Sequence, residues 1–189
     1  MTAPLALSFL TGLLALNPWI SLGLIPTAAQ GASLNHRQAF YYGLLGAFTM
    51  LLYGLLAWLL HFQIIAPLRM AVFELPLLLL MMPGINWALA RLLKPWPRLE
   101  QNLPVFHLNF PALAAALVLL HNPPATFGLM ALTLLGMSAS FLASLVLVSH
   151  LRARLETGLF HKPLKGWPSF LLASGILWIA FQGLLMLVR

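Results

Sequence analysis

The sequence predicts an all-α integral membrane protein of six transmembrane helices. They form an inverted repeat of three plus three, with helices one and four broken by proline. Three observations predict this. Of the 189 residues 61% are hydrophobic and only 7% charged, against about 25% charged in a soluble domain. Six apolar stretches, roughly 4–25, 39–60, 71–91, 103–121, 127–149 and 168–188, each approach the ~20 residues that a span requires. The first and fourth carry similar interruptions, and paired breaks in two halves of a membrane protein usually mark its working centre.

Segment one is interrupted at Asn17-Pro18, Gly23 and Pro26. Backbone groups freed by such a break survive in lipid only where protein or a polar cavity covers them. Met1-Thr2-Ala3-Pro4 lacks the basic stretch of a signal peptide, so this segment reads as a first transmembrane helix. Segment two carries Gly43, Gly46 and Gly54, and segment three contains Pro83-Gly84, which predicts a kink. Segment four repeats the break with Pro104, His107, Asn109 and Pro111. Segment five places Gly136, Ser140 and Ser144 at four-residue steps, a small-residue face that lets helices approach closely. Segment six holds Gln182, an expected interhelical hydrogen-bonding group. Tyr41, Tyr42, Trp58, Trp87 and Trp167 lie near segment ends as expected interfacial anchors. The linkers are short, so residues 1–189 read as one membrane domain with repeat halves of approximately 1–93 and 94–189.

The net charge of +7 does not point to nucleic acid, because the basic residues sit singly or in small groups between apolar runs. Loops one, three and five hold Arg37; Arg91, Lys94 and Arg98; and Arg152, Arg154, Lys162 and Lys165, leaving only Arg69 and Arg189 on the other side. The positive-inside rule then places those loops in the cytoplasm and both termini outside. Segments one and four enter from opposite sides, which makes them counterparts in the repeat.

Few polar groups fall inside the spans. Glu74 is the only acid there, and an intramembrane acid is a functional candidate by default. It lies about one turn inside the end of segment three, within reach of headgroup water or of Arg69. His107 sits in the second break, where it either shuttles protons or satisfies freed backbone. Asn17 and Asn109 offer caps to orphaned amides. The other histidines, His36, His61, His121, His150 and His161, stand at helix ends without metal-ligand spacing. With no cysteine, thiol catalysis and thiolate ligation are excluded. No phosphate loop, dinucleotide fingerprint, zinc-protease motif or nucleophile elbow is present.

At the two breaks the sequence resembles the family of RnfA, the six-helix membrane subunit of Rnf complexes, and of NqrE of sodium-pumping NADH:quinone oxidoreductases. The residues that carry the resemblance are Asn17 with Leu22-Gly23-Leu24-Ile25-Pro26, Leu103-Pro104 with Asn109-Phe110, Arg152-Ala153-Arg154-Leu155, Pro163-Leu164-Lys165-Gly166 and the small-residue rhythm of 173–183. The resemblance implies a subunit of an ion-translocating complex in the bacterial cytoplasmic membrane. It would be paired with a related six-helix subunit of the RnfE/NqrD type. FMN, iron–sulfur clusters and NADH would be carried by partners and none by this chain alone. In the family, cysteines of two such subunits bind a [2Fe–2S] cluster at the membrane midplane. Here Ile25 and Phe110 occupy the cysteine positions, so the expectation is an apolar plug with a structural or ion-path role. A competing reading is an independent small exporter resembling the LysE type, with Asn17, Asn109, His107 and Glu74 along its path. A third is a purely structural subunit.

Overall fold

A computed structural model describes residues 2–15, 36–94, 110–121, 126–157 and 167–188, all helices and the turns between them. Helix α1 covers Thr2–Leu10 and continues as a π-helical turn, Thr11–Ala15. Helix α2 covers His36–Leu60 and likewise continues through a π-helical turn, His61–Ile65. Helices α3, α4, α5 and α6 cover Glu74–Leu93, Phe110–His121, Phe127–Thr157 and Trp167–Val188. Three stretches, Ala39–Leu68, Glu74–Leu93 and Phe127–Arg154, are long and apolar enough to cross a membrane. Among the described residues there is no strand. This is the make-up of an all-α membrane protein.

Proline placement follows from backbone chemistry. Pro4, Pro76, Pro111 and Pro168 each lie in the first turn of their helix, where the missing N–H had no intrahelical partner to lose. Pro83 is different, because it stands inside α3 and cannot bond the carbonyl one turn back. The helix nonetheless runs through it, and the carbonyl of Leu78, one residue before that position, accepts the Tyr53 hydroxyl of α2 at 2.6 Å.

Helix α5 is the hub. It packs against α1, α2 and α6, while α2 also carries α4 and α3. Association inside lipid relies on close packing, because lipid tails are as apolar as the side chains they would replace. The sequence supplies small residues where that packing is tightest. A side chain at Gly12 of the α1 π-turn would strike the Thr133 carbonyl, and one at Gly136 would strike the Phe9 carbonyl and the Leu13 amide. Backbone therefore meets backbone at the α1–α5 crossing. Along α2, Gly43 faces Leu142 and Gly54 faces Leu134. Residue numbers rise on α2 as they fall on α5, so these two helices run antiparallel.

The core follows the same logic. Ala112, Ala115, Ala116 and Leu119 of α4 share one helical face and are buried against Met50, Tyr53 and Ala57 of α2. From α6, Ala173 and Leu177 join the same core, with Ser169 and Ser174 buried beside them. A smaller cluster of Tyr42, Leu45, Leu89 and Leu93 closes the other end of the α2–α3 hairpin. Tyr42 is thus a core residue and not the interfacial anchor that its place near a span end suggested. Tyr41 and Trp87 are exposed as expected, and Trp87 carries the Arg91 guanidinium 4.4 Å from its ring centre.

Candidate functional site

Most of the residues singled out in the sequence lie outside the described residues: Asn17, Pro18, Gly23, Ile25 and Pro26 of the first break, and Pro104, His107 and Asn109 of the second. Two members of the second break are described. Phe110 opens α4, and Pro111 follows it, buried, in the first turn. Pro111 thus lies in the first turn of α4 as described, and the rest of the second break lies outside the described residues.

Glu74 is described in full, and the side chain found within ion-pair reach of it is His61. Its carboxylate Oε1 lies 3.2 Å from Nδ1 of His61, and the two side chains are 18% and 24% exposed. The atoms are within ion-pair reach but are not aligned as a hydrogen bond, so Nδ1 is a buried nitrogen without a hydrogen-bond partner. The two residues are thirteen positions apart in sequence, and the turn between α2 and α3 brings them together.

That turn is built from local rules. The N–H of Arg69 donates to the Ala66 carbonyl at 3.2 Å and the N–H of Met70 to the Ile65 carbonyl at 3.1 Å, the paired bonds of a Schellman helix end. The motif needs one residue in the left-handed region, and Arg69 takes it at φ 53°, where glycine is the usual occupant. The chain then re-enters through a 3₁₀ turn, Ala71–Phe73, which delivers Glu74 as the first residue of α3. A carboxylate there faces the positive end of the helix dipole. His61 opens the π-helical turn that ends α2. Such turns are rare and recur at functional sites.

Aromatic rings pack around this end. Trp58, one turn before His61, packs against Phe62 at 4.8 Å and against Phe127 of α5 at 5.4 Å between ring centres. Its indole Nε1 is buried without a hydrogen-bond partner. The end of the bundle thus presents one carboxylate and one imidazole, both partly exposed, and one unpaired indole N–H. Among the described residues no three His, Cys, Asp or Glu side chains converge as metal ligands.

His61 escaped sequence reasoning because a histidine and a glutamate on different helices have no spacing motif. The signal that finds it is the hairpin register. Tyr53 meets Leu78, and toward the junction His61 lies about two turns further along the α2 side while Glu74 lies about one turn back along α3.

No family model matches the chain. Over 167 residues, 86% of this chain and 85% of the other, it is 26% identical to one subunit of the Na(+)-translocating ferredoxin:NAD(+) oxidoreductase complex of Acetobacterium woodii. The chain is therefore distantly similar, over most of its length, to a component of an Rnf-type complex.

Proposed function

We propose that this chain is an integral membrane subunit of an ion-translocating, NADH-linked electron transport complex that uses ferredoxin or a quinone, with a structural or ion-path role. The observation that carries this reading is the similarity, over 86% of the chain, to a component of the Na(+)-translocating complex. A likeness of that breadth runs along most of the chain and is not confined to one motif. The apolar helices agree with it.

The packing pattern supports a six-span inverted repeat within one domain. Exchanging helices one, two and three for four, five and six turns the α1–α5 contact into α4–α2 and the α3–α2 contact into α6–α5. Both members of each exchange occur. The antiparallel α2–α5 pair is the one that a two-fold axis in the membrane plane would relate to itself. The distribution of basic residues supports a bacterial cytoplasmic-membrane orientation with both termini periplasmic.

A [2Fe–2S] cluster does not fit this chain. It contains no cysteine, and even a cluster with two histidine ligands needs two thiolates. Ile25 and Phe110 would form an apolar plug between helices one and four, leaving FMN, iron–sulfur clusters and NADH to partner subunits. The neighbouring partner would be a related six-helix subunit of the RnfE/NqrD type. Purifying the tagged chain from native membranes in mild detergent tests the reading. Flavoprotein and iron–sulfur partners are the expected outcome, and a stable homodimer alone would favour the exporter.

A further inference from the structure

We propose that His61 and Glu74 form a proton-binding site at the end of the α2–α3 hairpin, and that this site takes a proton and not an alkali cation. The inference deepens the ion-path side of the reading above and rests on it. The ring nitrogen and the carboxylate oxygen stand 3.2 Å apart, close enough for one proton to serve both. They are nonetheless misaligned as a hydrogen bond, and Nδ1 has no other acceptor or donor. The contact is therefore unfinished in the form described. Proton uptake on the imidazole turns it into an imidazolium–carboxylate pair, whose charge-assisted bond is shorter and stronger. The proton comes from water at the turn, which both partly exposed side chains can reach, and returns there on release. No other bond forms or breaks.

The side-chain ligand set favours a proton over a hard cation. A hard cation takes several oxygen ligands, whereas this site offers one carboxylate and a nitrogen donor of the kind suited to transition metals. Few other charges face the pair among the described residues. Arg69 lies exposed in the turn, α5 contributes the uncharged Phe127, and α4 ends in His121, whose Nδ1 is engaged by the Leu117 carbonyl at 3.0 Å. The π-helical turn at His61 is the segment able to absorb the small realignment.

Trp58, one turn from His61 on the same helix, is a built-in reporter, because a protonated imidazole nearby quenches indole emission. The experiment uses the full chain in lipid vesicles. The Trp58 contribution is taken as the difference from W58F and followed through the pH range in which histidine exchanges its proton. Acidification should quench it, identically with sodium or choline as the cation. H61Q should abolish the change. E74Q should reduce it by about half or more, and the double variant should respond no differently from H61Q, because coupled groups are not additive. A quench that persists in H61Q overturns the proposal, as does a sodium-dependent signal at fixed pH that E74Q removes. Should H61Q misfold, histidine-labelled NMR on the native and E74Q proteins reads the same exchange. A His61 signal that ignores pH, or that moves on adding sodium, overturns it equally. Partner purification is independent of these readouts, so the assembly and the proton site fail separately.

Discussion

Helix α2 is held on its two sides by different means. Toward α5 it presents glycines to interlocking leucines, Gly43 to Leu142 and Gly54 to Leu134. Toward α3 it offers a hydroxyl to a carbonyl at 2.6 Å and an imidazole to a carboxylate at 3.2 Å. The burial differs accordingly: 50% and 56% of the apolar windows of α2 and α5 are buried inside the protein, but only 22% of that of α3. Lipid tails compete with leucine side chains on equal terms, so a helix with little buried surface needs polar contacts to stay in place, while a deeply packed one needs shape. The seam is built to be rigid, and the hairpin is built around groups whose state can change.

The contrast can be broken on the seam side first. G136A places a methyl on the Phe9 carbonyl and Leu13 amide, backbone that cannot step aside, and should destabilise the fold by about 3 kcal/mol. Reversible unfolding in mixed micelles measures it. The matched control is G183A, whose added methyl meets nothing within 4 Å and should stay within about 0.5 kcal/mol. G54A meets the Leu134 side chain, its δ-methyls first, and not backbone among the nearest atoms. Its expected cost is about 1 kcal/mol, recovered in part when Leu134 is shortened to valine.

The hairpin side gives smaller effects. Y53F removes the bond to the Leu78 carbonyl and should cost about 0.6 kcal/mol, the mean for such bonds between membrane helices. A loss as large as that of G136A would contradict the division of labour between the two sides. R69G relieves the left-handed strain at φ 53° and should be neutral or stabilising by up to about 1 kcal/mol, read as a raised unfolding midpoint.

Segments two, three, five and six were legible because each is a long apolar run with clear ends. Their helices differ from the expected spans in instructive ways. Helix α5 continues from the apolar residues before position 149 to Thr157, because hydropathy marks where lipid ends whereas Arg152, Ala153, Arg154 and Leu155 remain good helix formers in water. The chain after Leu60 stays helical through His61–Ile65, and there the apolar stretch itself runs on to Leu68. Pro83 stands inside α3, which is one helix across it. The close-packing role of Gly136 and Gly54 was readable from small-residue spacing. Which helix each would meet was not, since spacing fixes a face and not a partner. Glu74 was recognised from its cost in lipid, with headgroup water or Arg69 as its expected surroundings, and His61 stands 3.2 Å from it. Arg69 is nearer in sequence, and the left-handed turn at Arg69 itself carries the chain around to His61.

The most direct test of the central claim is iron and flavin analysis, with electron paramagnetic resonance, on the complex purified through this chain. The account predicts flavin and iron–sulfur signals that belong to partner subunits and that I25A and F110A leave unchanged. An intramembrane [2Fe–2S] signal lost on substituting Ile25 or Phe110 would contradict it.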